Sequence, residues 1–91
     1  MQNTEIKPIL DAIIAERERQ DKKWGKQHYE NPLYWLGILT EEVGEYAEAV
    51  NETVFNNADK KHLGGIENMR RELIQIVAVA VAALEDLCQK K

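Results

Sequence analysis

A chain of 91 residues with a formal net charge of −4 suits one small domain, residues 1–91, and its acidic balance excludes a nucleic-acid polymer as the main partner, because such binding needs a positive footprint. Hydrophobic residues at 44% and charged residues at 31% are the balance of a globular chain, not a disordered one. So short a chain buries a modest core and often needs a partner to finish it.

The first helix is expected where Ile6, Ile9, Leu10, Ile13, Ile14 and Arg17 recur at i, i+3, i+4 and i+7. Thr4 is the expected N-cap, with Pro8 near the first turn, where proline is best tolerated. The helix runs on through ERERQDKKWG, and Gly25 should end it. The opening MQNTEIKPIL has no basic segment followed by an apolar stretch, so no signal peptide is expected.

A second start signal is NPLYW, with Asn31 as N-cap and Pro32 at the first helical position. This helix should reach about Val54, with Gly37 and Gly44 as weak points that allow close packing. The polar stretch FNNADKKHLGGIEN then reads as a connection.

The third helix is expected from about Glu67 to Gln89. Its middle, LIQIVAVAVAAL, is apolar on every side except at Gln75, which is the pattern of a buried helix. The chain is too short to surround it, so a homo-oligomer, a dimer or a tetramer, should cover it. The same run is too short to cross a bilayer, so no membrane is expected. A lone cysteine, Cys88, makes a reducing cytoplasm the expected setting. Nothing signals a strand; the expected class is all-α, a helical bundle completed by oligomerisation.

TEEVGEYAEAVNE, residues 40–52, holds five glutamates and no base. Such neighbours repel on a helix by a few tenths of a kcal/mol per pair. With Glu42 set to zero, Val43, Tyr46, Ala47 and Val50 fall between roughly 40° and 140° and form the expected buried stripe. Glu41, Glu48 and Glu52 lie well away from that stripe, and Glu48 and Glu52 read as solvating. Glu42 and Glu45 lie on its shoulder. Glu72 and Gln75, also spaced i,i+3, open the third helix's apolar run. Antiparallel pairing of the two helices brings four oxygen-bearing side chains together, a donor set suited to Mg²⁺, with Mn²⁺ as the second choice. Ordinary structural readings stand beside this one: a solvated acidic face, a helix-start acid at Glu72 and a register-setting amide at Gln75.

Glu42-Val43-Gly44-Glu45, a spacer, and Glu72-Leu73-Ile74-Gln75 resemble the E-x-x-E, spacer, E-x-x-D signature of the MazG-like, all-α nucleoside triphosphate pyrophosphohydrolases. LTEEVGEYAEA and RRELIQIVAVAVAALE carry the likeness further, and ERERQDKKWGKQ is similar to small members found in phages and prophages. The resemblance implies Mg²⁺-dependent hydrolysis of a nucleoside triphosphate to the monophosphate and pyrophosphate, for house-cleaning or nucleotide-pool control. Glu42, Glu45 and Glu72 match the family's metal ligands, and Glu41 is the candidate for orienting the attacking water. Gln75 departs from the family's Asp and removes a charge, so metal affinity should fall; a weakly active or inactive nucleotide-binding relative is the second reading, and a purely structural oligomer the third. Lys22, Lys23 and Lys26 lie near Trp24, and Lys60, Lys61, Arg70 and Arg71 flank the third helix. Among these, Arg71 is the first candidate for a phosphate contact, with Lys23, and Trp24 is a candidate stacking surface for a base; a solvated surface charge for each cation, and packing over the end of the first helix for Trp24, stand beside these readings. His28 and His62 lack metal-ligand spacing, so zinc is not expected.

Overall fold

The computed structural model describes residues 3–55 and 65–89. They form three helices, α1 (Asn3–Trp24), α2 (Leu33–Phe55) and α3 (Ile66–Cys88), and no strand occurs among the described residues. The class is all-α. No described helix is long and apolar enough to cross a membrane.

Local chemistry places the helix ends. Gly25 closes α1 in the left-handed region, at φ 73°, with its N–H donating to the Asp21 carbonyl at 2.8 Å. Asn31 caps α2 through its side-chain oxygen, which accepts from the Leu33 N–H at 2.9 Å. Thr4 does not act as the expected cap, because α1 already includes Asn3. At the far end of α2, Thr53 Oγ1 accepts from the Gly65 N–H at 2.6 Å and ties the start of α3 to it. Lys60, Lys61 and His62 lie outside the described residues.

α3 is the helix against which both others pack, and α1 and α2 hardly meet. The buried apolar core is small: Trp35, Ala49, Ala78 and Val79. Alanines at the α2–α3 crossing let the two backbones come close. Trp35 is core and donates its indole N–H to Asp86 Oδ2 at 2.7 Å.

The stripe expected to be buried on α2 faces the other way. Val43 and Ala47 are exposed, Tyr46 and Val50 are half-buried, and the buried residues are Trp35, Ala49 and Glu52. On the scale with Glu42 at zero, the inward face runs from roughly 280° to 20°, so it carries Glu42, Glu45 and Glu52 themselves. Glu52, expected to be solvated, is only 9% exposed. The reason is directional: the Trp35–Asp86 bond and the small Ala49 choose the face that meets α3. Gly37 and Gly44 do not serve close packing within the chain, since a Cβ added at either would meet nothing within 4 Å.

α3 is likewise two-faced. Glu72, Gln75, Val79, Ala82 and Asp86 share one side within roughly 80° of arc, while Leu73, Val77, Leu84 and Leu87 share the opposite side and are exposed. On α1, Ile9, Leu10 and Ile14 are exposed too.

Candidate metal centre and groove

Glu42 and Glu45 project one turn apart from the inward face of α2, and Glu72 meets them from α3. One carboxylate oxygen from each lies within 4.8 Å of the others. Octahedral Mg²⁺, bound at 2.0–2.1 Å, holds opposite ligands about 4.2 Å apart and adjacent ones about 2.9 Å apart, so three carboxylates sharing one ion would be drawn closer than this ceiling. Among the described residues, Glu42 Oε2, Glu72 Oε2 and, two turns beyond Glu45 on α2, Glu52 Oε2 are buried without a hydrogen-bond partner. Buried polar atoms are ordinarily paired, and a carboxylate that lacks a partner pays a desolvation penalty.

Electrostatics record the same strain. Burial, then the charges of Glu45 and Glu72, then those of Glu41 and Glu16, push the Glu42 carboxyl up to about 7. Glu72 is raised by burial and by the neighbouring Glu45 carboxyl, with Arg71 opposing. A divalent cation would reverse these penalties, since it favours the ionised forms.

The cluster opens onto a groove of about 770 Å³ between α1, α2 and α3. That volume falls in the range of small-molecule sites. Glu41, Glu42, Glu45 and Gln75 line one part of it; Trp24, Lys26 and His28 line another. Carboxylates outnumber permanent cations on its walls, so a bare polyanion would be repelled there.

Glu41 is exposed on the groove wall beside the cluster, and Gln75 is half-buried there. Trp24 lies on the wall, 54% exposed, with the Lys23 ammonium 4.7 Å from its ring centre. Lys23 itself is not among the lining residues. Arg71 is exposed, off the groove walls, and donates to Asn68 Oδ1 at 2.7 Å.

Sequence reasoning missed how α1 and the 25–32 connection build the groove. Arg17 has all three nitrogens engaged: Nε on Glu85 at 2.9 Å, Nη1 on Gln20 at 2.9 Å and Nη2 on Asp21 at 2.9 Å. Burial works against its charge, but the hydrogen bonds to Glu85 and Asp21 outweigh it and raise its pKa. Lys26 bridges Asp21 and Glu85 at 3.2 and 3.0 Å. Asp86, the next residue, accepts from the Trp35 indole, from the Tyr29 backbone N–H at 3.0 Å and from His28 Nδ1. Those donors hold its carboxyl well below the usual range. The acidic pair Glu85–Asp86 thus pins α1 and the connection to α3. The periodic placement of Arg17 on the packing stripe of α1 was the one available signal.

No protein-family model, curated protein or solved structure matches the chain.

Proposed function

We propose that this chain is a Mg²⁺-dependent nucleoside triphosphate pyrophosphohydrolase of the MazG-like kind. One observation carries the reading: two buried, partnerless carboxylate oxygens, on Glu42 and Glu72, converge with Glu45 at the wall of a groove large enough for a nucleotide. An acidic cluster alone is commonplace; what favours a cation here is that two such oxygens lie within one cluster.

Glu42, Glu45 and Glu72 would hold the ion, with the Gln75 amide oxygen as an uncharged fourth donor. A bound divalent cation would supply charge neutralisation on phosphate oxygens and a more acidic water. Glu41, exposed beside the cluster, orients a water toward the α-phosphorus and accepts its proton. The new P–O bond forms as the bond to the bridging oxygen breaks, and pyrophosphate leaves. The acidic groove admits the triphosphate only together with cations, which makes the reaction metal-dependent. Mn²⁺, with the same preference for oxygen donors, should substitute. The likeness to small phage and prophage proteins fits a role in clearing noncanonical nucleotides or controlling pools in the cytoplasm.

The apolar faces turned away from the groove support homo-oligomerisation. Leu36, Val43 and Val50 on α2 repeat at i, i+7 and i+14, and so do Leu73, Ala80 and Leu87 on α3, the spacing of helices that pack side by side. A dimer or tetramer would bury them; sedimentation showing a stable folded monomer at micromolar concentration would refute it.

The deciding assay is pyrophosphate release from all canonical and several damaged triphosphates, with Mg²⁺ and with Mn²⁺. Release that needs both the metal and Glu42 is the expected result. Metal and nucleotide binding without turnover would favour the binding-module reading, to which Gln75 lends support. No thermal stabilisation by Mg²⁺ with nucleotide would leave only a structural oligomer.

A further inference from the structure

A triphosphate in this groove needs a cationic side chain with donors to spare, and the groove offers few. Arg17 has its three nitrogens committed and its side chain is 11% exposed. Lys26 is shared between two carboxylates, and His28 contacts Asp86 through one ring nitrogen and Glu30 through the other. Arg19 differs. It also lines the groove, its side chain is 51% exposed, and it has one carboxylate partner. Glu16 takes its Nε at 2.9 Å and its Nη2 at 2.7 Å, a two-point grip that fixes the guanidinium plane. Gln20 donates to the same Glu16 oxygen at 3.2 Å and steadies it. The guanidinium carbon lies 5.8 Å from the centre of the Trp24 ring, a cation–π distance. Nη1 is left uncommitted among the described residues.

The position of this free edge matters as much as its freedom. Glu16 and Arg19 line the same groove as Glu42 and Glu45. A triphosphate that met a cation at Glu42 and Glu45 would lie in the groove whose wall also carries Arg19.

We propose that Arg19, aligned by Glu16 and braced on Trp24, is the residue that grips the phosphate chain of the bound nucleotide. The assignment rests on the nucleotide reading of the groove, and moves the phosphate grip from the start of α3, where Arg71 stands outside the groove, to the last turns of α1. Trp24 then acts on the phosphates through Arg19, whether or not a base stacks on its ring.

The test is isothermal titration of the full chain in Mg²⁺ with a non-hydrolysable α,β-methylene triphosphate, with the parent nucleoside, and with Mg²⁺ alone. Arg19→Ala should weaken the triphosphate by about tenfold or more, the range for lost charge-assisted hydrogen bonds. It should leave nucleoside and Mg²⁺ binding no weaker. Arg19→Lys, which keeps the charge without the fork, should fall between the two. Glu16→Gln, which keeps the guanidinium and loosens its alignment, should cost less than Arg19→Ala. Because Arg19 is half exposed, both of its variants should fold, as melting curves will verify. Equal affinity of wild type and Arg19→Ala for the triphosphate overturns the assignment while the nucleotide reading stands. A wild-type protein that binds no triphosphate overturns both.

Discussion

Replacing Glu42 by Gln removes one charge from a cluster that repels itself, and its consequence can be worked from the structure. The folded protein holds the Glu42 proton more tightly than the unfolded chain, with the pKa moved from 4.5 to about 7. Folding stability therefore falls as pH rises through that window, because the ionised carboxylate is the unfavoured form in the folded state. Taken whole, the shift amounts to about 3.4 kcal/mol at 1.36 kcal/mol per unit. Partial exposure of the side chain and solvent screening reduce this to about 1–2 kcal/mol. Without metal at pH 8, Glu42→Gln should be more stable by that amount, raising Tm by about 5–10 °C in a chain of this size. At pH 4.5 the gain should vanish, since wild-type Glu42 is then largely protonated. Added Mg²⁺ should raise the wild-type Tm at pH 8 and leave the variant nearly unmoved. Melting curves at fixed protein concentration, at both pH values, with Mg²⁺ and with EDTA, provide the assay. A variant that melts below wild type at pH 8 without metal, yet still gains stability from Mg²⁺, would refute the reasoning and make Glu42 a structural acid.

Gln75→Asp should tighten Mg²⁺ binding by titration calorimetry and preserve or raise pyrophosphate release; destabilisation with no gain in metal affinity would remove Gln75 from the ligand set, though not the three glutamates. Gly44→Ala should stabilise the protein by about 0.5–1 kcal/mol, because the added methyl meets nothing and helix propensity improves; a lower Tm would mean that a partner packs against that position. Asp86→Asn should lower Tm at neutral pH and flatten its decline in acid. The native carboxylate's contribution is present above its ordinary pKa of about 4 and is lost as pH falls toward its depressed folded value. Hydrogen bonds raise the His28 pKa, so its share of that contact is lost as pH rises through the folded value, and His28→Ala should remove this alkaline component of the melting profile.

The helices were legible because their signals are local. Gly25, the Asn31-Pro32 pair and the length of the α3 apolar run each act within a few residues, and the ends fell within a residue or two of expectation. The pairing of Glu42 and Glu45 with Glu72 was legible too, since i,i+3 spacing on two antiparallel helices leaves few other ways for acids to meet. Helix facing was not. A hydrophobic arc shows that one side of α2 avoids water, but not whether its own chain or another surface covers it. The same ambiguity hid Glu52, whose burial follows from the reversed facing. Arg19 was illegible for another reason. An arginine in a run of charges looks solvated until the commitments of Arg17, Lys26 and His28 are known, and those depend on contacts with Glu85 and Asp86 some sixty residues away.

Why the three acids stay converged despite their repulsion is answered by what lies on either side of them. Apolar burial is non-directional and, with only two alanines and a valine beside one tryptophan, would leave α2 free to roll on α3. Hydrogen bonds are directional, and two of them bracket the cluster. Two turns before Glu42, the Trp35 indole is locked to Asp86 near the C-terminal end of α3. Past Glu45, at the other end of α2, the Thr53 hydroxyl holds the Gly65 N–H at the start of α3. Rolling α2 to carry its acids into water would break both anchors and take the indole donor from the buried Asp86 carboxylate, while turning the apolar stripe of Val43 and Val50 onto the inward face of α3, where Glu72 and Gln75 stand. The repulsion is therefore held in place by the ends of the helix pair, and the proposed cation would relieve it.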